Sequence, residues 1–299
     1  MSADPSPPSA REVVMRDAAT VLILRDGLDG LEVFMLKRNL NSDFVGGAYV
    51  FPGGAVDPAD RHLDLEPVCE GRTDADASRR LGIDGGGLAF WVAAIRESFE
   101  EAGVLLAYDL DGYVDLDADV TAAHWNHHRQ QVDTGQLTMV DLCRLEGLRL
   151  ACDEMHYFSH WITPEGAPRR YDTRFFLAAA PPNQTPLHDD HEVIANEWVR
   201  PLDAIARCEA GQMTMMPPTI ASLRTISRFS TAAEALDAAR EITQVPAVLP
   251  RVVSVDGGVR IVLPGDPDYG APSGVEGAAD HHGSWMHLAD SRRVTGFAE

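Results

Sequence analysis

Apolar and polar residues follow two distinct periods along this chain. Residues 18–25, AATVLILR, and 31–37, LEVFMLK, are β-branched apolar runs joined by the turn signal DGLDG, and they predict two adjacent strands. AYVFPGGAVD, at 48–57, predicts a short strand running into a glycine turn. The polar stretch 61–87, with its GIDGGG, predicts a long surface loop. From position 88 the period changes. Leu88, Trp91, Val92, Ile95, Phe99 and Ala102 recur at helical spacing, with Glu97, Glu100 and Glu101 on the opposite side. That is an amphipathic helix with one apolar stripe, ended by Gly103. Residues 106–150 are mostly helical in pattern, and strand-like runs return at 155–163 and 172–180. Helices follow near 202–210, 217–229 and 231–242, and RVVSVDGGVRIVLPGD has the alternation of a hairpin around Asp-Gly-Gly.

Strands therefore stand before and after a helix, without regular β-α-β alternation. This favours an α+β fold with layered α/β/α packing over a doubly wound parallel sheet. A Pro/Ser-rich, mobile arm is expected at 1–15, and helices, a hairpin and a Gly-rich tail over 211–299.

Charge narrows the function. The 299 residues include 25 basic and 46 acidic side chains, a formal net charge of −21. Such a surface repels nucleic acid and anionic membranes. A site for a phosphorylated substrate then needs local rescue, by clustered arginines or bound metal. Lys37 is the single lysine, and arginine suits bidentate phosphate contacts. Cys69, Cys143, Cys152 and Cys208 form no CxxC pair, which argues against zinc ribbons and disulfide scaffolds and fits a reducing compartment. No apolar run approaches the roughly 20 residues of a membrane span. The opening MSADPSPPSA lacks the basic-then-apolar order of a signal peptide, so the expected location is the cytoplasm.

The three glutamates admit two readings. On a solvated helix face, like-charge neighbours cost only about 0.2–0.5 kcal/mol per pair. Partly desolvated carboxylates about 6 Å apart repel by roughly 2–3 kcal/mol per pair, and a hard divalent cation reverses the sign. Spacing alone does not choose; the upstream segment does. In FPGGAVDPAD, Gly53 and Gly54 let backbone carbonyls approach a ligand closely, and Asp57 and Asp60 follow. Together GGAVDPAD and RESFEEAGV resemble the signature of the Nudix hydrolases: Gly, five residues, Glu, seven residues, then Arg-Glu-U-x-Glu-Glu-x-Gly-U, with U a bulky aliphatic. Gly54 and Asp60 keep the first spacing, and Arg96, Glu97, Glu100, Glu101, Gly103 and Val104 match the second half. Asp60 replaces the usual Glu, Ser98 stands where an aliphatic is usual, and the 35 residues 61–95 replace the seven-residue spacer. A branch of the family, which includes the mammalian peroxisomal coenzyme A diphosphatase and bacterial relatives, interrupts its signature at this point. The chain resembles that branch also in AATVLILRD, AYVFPGG, HWITPEGAPRRYDTRFF and MMPPTIASL, over roughly 16–230.

The resemblance implies a mixed sheet sandwiched between helices, with a Nudix-like catalytic domain over 16–210 carrying insertions at 61–87 and 106–150. It implies hydrolysis, with Mg²⁺ or Mn²⁺, of a diphosphate linkage in a nucleoside diphosphate joined to another group, coenzyme A or acyl-CoA among the candidates. The partner is a small-molecule diphosphate, and homodimers are common in the family. The implied metal set is Glu97, Glu100, Glu101 and a carbonyl at Gly53 or Gly54. The catalytic set is Arg96, Glu97, Glu101 and Glu192, with Arg96 bracing the glutamates. Glu97 is one candidate base; HDDHEVIANEW offers Asp190, His191, Glu192 and Glu197, of which Glu192 is favoured. Arg38, Arg169, Arg170 and Arg174 are the candidate phosphate-binding residues. A hydrolase of oxidised nucleotides or ADP-ribose, and a catalytically silent nucleotide-sensing module, remain open alternatives. His124, His127 and His128, with no acidic partner nearby in sequence, read as a polar helix face.

Overall fold

The structure is a computed structural model that describes residues 13–39, 46–117, 121–187, 193–255 and 258–270. Strands β1 (Met15–Gly27) and β2 (Gly30–Arg38) form the expected antiparallel pair, closed at Gly27↔Gly30. β3 (Ala48–Val50) and β4 (Gly53–Ala55) follow. Then come α1 (Asp74–Leu81), α2 (Leu88–Ala102), β5 (Ala107–Tyr108), α3 (Ala122–Asp133), α4 (Met139–Glu146) and β6 (Arg149–Leu150). β7 (His156–Ile162), β8 (Arg170–Ala179), β9 (Val193–Val199), α5 (Pro201–Glu209), β10 (Thr214–Met215), α6 (Pro217–Ile226) and α7 (Ala232–Arg240) complete the main body. β11 (Ala247–Val248) precedes the hairpin of β12 (Arg251–Val255) and β13 (Gly258–Val262).

The large sheet runs β10-β3-β2-β1-β8-β7-β11, with β4 also on β1 and β9 on β2. It is mixed: β1 pairs with β8, β3 with β10 and β7 with β11 in parallel, while β1–β2, β2–β3, β2–β9 and β7–β8 are antiparallel. Alternation along each strand sends neighbours to opposite faces. Val21, Ile23, Phe34 and Leu36 pack with Trp91, Ile95 and Phe99 of α2. Leu22, Leu24, Val33 and Met35 pack on the other face with Ile205, Leu223 and Leu236 of α5, α6 and α7. The architecture is the layered α+β one expected.

Three local readings change. Gly53 and Gly54 lie in the short strand β4, paired antiparallel to β1, rather than in a turn. Segment 61–87 holds α1, with Ala77 and Leu81 buried, where a plain surface loop was predicted. Its eight residues are too few to show a helical period among acidic positions, although Thr73 caps it by accepting from the Asp76 N–H. Finally, α2 is not a one-stripe amphipathic helix, since every residue from Leu88 to Ile95 is buried. α1, α3 and the 3₁₀ turn Pro58–Arg61 cover its outer side, and only its C-terminal half turns acids toward a cavity. No helix among the described residues is long and apolar enough to cross a membrane.

Candidate active site

Two ends of α2 are fixed by polar groups outside it. At the start, Gly87 offers no capping side chain, and Asp74 of α1 substitutes by accepting from the Gly86 and Leu88 N–H groups at 2.9 and 3.0 Å. At the end, Gly103 adopts a left-handed φ of 65° and its N–H returns to the Phe99 carbonyl. Ser98 is fully buried, and its hydroxyl donates to the Val104 carbonyl at 2.9 Å, so the unusual serine is satisfied inside this C-terminal turn.

The glutamates then meet β4. The β1–β4 register sets Gly54 opposite Ala19 and Gly53 opposite Thr20. A Cβ at Gly53 would lie 2.5 Å from the Ala19 carbonyl oxygen, and one at Gly54 would lie 2.4 Å from Glu97 Oε1. Only glycine lets strand and helix carboxylate approach this closely. Glu101, 7% exposed, accepts the Gly53 N–H at 2.9 Å through Oε2. Thus Gly53–Gly54, Glu97 and Glu101 form one contact surface.

Arg96 stands behind it. Its Nε and Nη2 each reach an Asp60 carboxylate oxygen at 3.0 Å, Nη2 also donates to the Ala55 carbonyl at 2.8 Å, and Nη1 reaches Glu100 at 2.8 Å and Glu97 at 2.9 Å. Asp60, 1% exposed, further accepts the Asp57 N–H at 2.8 Å. Burial pushes the carboxyls of Glu97 and Glu100 up, to about 7 and about 8, although Arg96 pulls both back. Burial likewise raises Asp60 against the pull of Arg96. For Arg96, burial alone would lower the pKa, but Glu97, Asp60 and Glu100 outweigh it and hold it raised. One guanidinium leaves this acid cluster under-neutralised. Hard oxygen donors with net negative charge beside the close-packed glycine strand fit a divalent cation of the same hardness.

The acids line a cavity of about 430 Å³ together with Gly53, Gly54, Arg38 and Arg169, a size typical of small-molecule sites. Arg38 Nε is buried there with no hydrogen-bond partner among the described residues. Alternation around the start of β8 separates the four candidate arginines. Arg169, Tyr171, Thr173 and Phe175 line the cavity, and Arg170 and Arg174 do not. Arg170 donates to the Thr163 carbonyl, and Arg174, 4% exposed, pairs with Asp172 beneath Phe90. Glu197 is held by both Nη atoms of Arg207, away from the cavity. Asp190, His191 and Glu192 lie outside the described residues.

Sequence reasoning missed Asp133, the last residue of α3, which lines the cavity and whose charge helps raise Glu100. It lies far along the chain and carries no spacing signal. Arg129 of the same helix donates through Nε and Nη2 to the Glu100 carbonyl at 2.9 and 2.8 Å. Met216, Pro218 and Thr219 also line the cavity; the MMPPTIASL block was the available signal. Met216 and Pro218 also border a second, apolar cavity of about 190 Å³ walled by Trp161, Pro164, Pro250 and Ile261. The two cavities share Tyr171, Thr173, Phe175, Met216 and Pro218.

A family model described as the NUDT19 Nudix domain matches residues 71–226, just over half the chain. The Gallus gallus protein named acyl-coenzyme A diphosphatase NUDT19 is 29% identical over 282 residues, covering 80% of this chain and 74% of that protein. The Homo sapiens protein of the same name is 27% identical over 279 residues, covering 81% and 73%. Among solved structures, a NUDIX hydrolase from Alicyclobacillus acidocaldarius aligns with a TM-score of 0.60 at 26% identity, over 76% of this chain and 97% of that one. Fold, glutamate helix and glycine strand define a Nudix hydrolase. Within that class, the chain belongs to the family described as the NUDT19 Nudix domain.

Proposed function

We propose that this protein hydrolyses the diphosphate linkage of coenzyme A or of an acyl-CoA, with Mg²⁺ or Mn²⁺. The observation that carries the reading is the meeting, in one cavity, of Glu97, Glu100, Glu101 and the Gly53–Gly54 strand with Arg38 and Arg169. The names of the chicken and human relatives support the substrate class. So does the adjoining apolar cavity, which suits an acyl or pantetheine arm.

Glu97, Glu100, Glu101 and a backbone oxygen at Gly54 would hold the ion, which when bound offsets diphosphate charge and lowers the pKa of the attacking water. Arg96 is a positioning residue. It fixes Glu97 and Glu100 from behind and keeps its own donors occupied. Arg38, with its unpartnered Nε, and Arg169 supply N–H donors to phosphate oxygens. Water attacks one phosphorus, the bond from that phosphorus to the bridging oxygen breaks, and the water's proton passes to a carboxylate, Glu192 as the favoured base or Glu97 as the other candidate. Coenzyme A would yield 3′-phosphoadenosine 5′-phosphate and 4′-phosphopantetheine.

Product identification tests this against coenzyme A, an acyl-CoA, NADH, ADP-ribose and nucleoside triphosphates. Those two phosphorylated halves are the expected result. Turnover confined to ADP-ribose or triphosphates, with coenzyme A and acyl-CoA untouched, would refute the substrate. A Glu100→Gln and Glu101→Gln double variant should lose at least about 100-fold in kcat, beyond the usual effect of perturbing groups that merely support ligands. Near-normal turnover in that variant would refute the site.

A further inference from the structure

His124 and His128 stand one turn apart on α3, and the fold gives them the acidic partner that the sequence pattern lacked. Glu146, the last residue of α4, brings Oε1 to 2.9 Å from His128 Nε2 and Oε2 to 3.1 Å from His124 Nε2. One ligand atom from each of the three side chains lies within 4.8 Å of the other two. Their exposures grade outward, from 6% for the His128 side chain through 21% for Glu146 to 47% for His124.

His128 has a polar neighbour at each ring nitrogen, Gln131 Oε1 at 3.1 Å from Nδ1 and Glu146 Oε1 at 2.9 Å from Nε2. In the tautomer that donates Nδ1–H to Gln131, Nε2 presents a lone pair on the side of Glu146 and His124, where a single metal ion would meet both imidazoles and the carboxylate at once. The Nδ1 contact to Gln131 is also the kind of outer hydrogen bond that fixes the ring of a metal-bound histidine. Tetrahedral zinc bonded at about 2.0–2.1 Å sets ligand atoms roughly 3.4 Å apart. The carboxylate's contacts to His128 and His124, at 2.9 and 3.1 Å, lie within about half an ångström of that spacing.

We propose that His124, His128 and Glu146 form a second metal site, chemically unlike the carboxylate cluster. Two imidazoles and one carboxylate select a borderline transition ion such as Zn²⁺, Co²⁺ or Ni²⁺ rather than Mg²⁺, with solvent completing the coordination on the His124 side. The ion ties α3 to the end of α4. Because α3 also delivers Arg129 to the Glu100 carbonyl and Asp133 to the substrate cavity, occupancy steadies one wall of the active site from a distance.

The test uses the full chain stripped by chelation, then titrated calorimetrically with Zn²⁺ alone against a background of millimolar Mg²⁺. The Glu97→Gln and Glu100→Gln double variant serves as the control for binding at the carboxylates. One Zn²⁺ per chain is expected, retained in that control and weakened at least about 10-fold in both His124→Ala and Glu146→Gln. Visible bands of bound Co²⁺ should fade in the same two variants while far-UV circular dichroism stays unchanged. Absence of Zn²⁺ uptake, wild-type affinity in both variants, or uptake lost only in the glutamate control would overturn the proposal.

Discussion

Arg96 makes contacts that cannot be exchanged for those of a lysine. Its planar fork grips Asp60 through two nitrogens and still reaches Ala55, Glu97 and Glu100; an ammonium has neither the breadth nor the fixed directions for this. Arg96→Lys is expected to lower kcat well before it changes KM, since the arginines proposed to meet substrate are elsewhere. A proportional rise in KM with unchanged kcat would contradict that. Arg96→Ala leaves Asp60 buried without its partner, at a cost of about 3–5 kcal/mol, visible as a lower midpoint in urea. Gly54→Ala is the complementary probe. A methyl group 2.4 Å from Glu97 Oε1 must displace that carboxylate. Turnover should fall by 10-fold or more with little loss of thermal stability, and a fully active variant would show that Glu97 need not touch β4. The helical face of Glu97, Glu100 and Glu101 was legible because positions three and four apart share a side of any helix. The Arg96–Asp60 contact was not, because a partner 36 residues away is set by packing rather than by period.

At the scale of elements, the inserted segment holds up the helix that follows it. Asp74 accepts the two N–H groups that open α2, and α1 exists to present it there. Asp74→Ala should cost about 1 kcal/mol, as for other lost caps, and thermal unfolding of wild type and variant side by side would read this out. A midpoint equal to wild type would mean that the N–H groups find water instead. The long helices and strands were legible from apolar period and from glycine at the ends. The eight-residue α1 was not, because its acidic first turn looks the same in a loop. The outer side of α2 also misled. Ala89, Ala93 and Ala94 are small enough to read as neutral, yet they are buried because other elements pack on them. Which elements cover a helix is a tertiary fact. For the same reason, alternation at β8 distinguishes Arg169 from Arg170 and Arg174 only after the cavity side is known.

For the whole molecule, buried acidity couples stability to pH and to metal. Glu97 and Glu100 hold their protons up to about 7 and about 8 in the folded, metal-free state, whereas an unfolded glutamate releases its proton near 4.5. Across that window the folded chain binds more protons than the unfolded one, so the contribution is full below about 4.5 and is lost as pH rises through 8. With chelator present, the melting temperature should therefore fall between pH 6 and pH 8.5. Added Mg²⁺ or Mn²⁺, which competes with those protons, should raise the melting temperature more at the upper end than at the lower. A metal-induced shift independent of pH would refute the linkage. The net charge of −21 pushes the same way, since deprotonation adds to a surface already strongly negative.

The Asp60–Arg96 ion pair has one more consequence, in the natural history of such chains. Residues 61–87 run out from one member of that pair, and the buried first half of α2 brings the chain back to the other, so the excursion begins and ends at a single knot. Once its ends are tied, a strand of rope may be spliced longer at small entropic cost, about 0.6 kcal/mol for each doubling. So long as Asp74 still meets the start of α2, the acids on the far side of Arg96 keep their places. A hydrolase built this way can lengthen or shorten that excursion while its acids stay where they are.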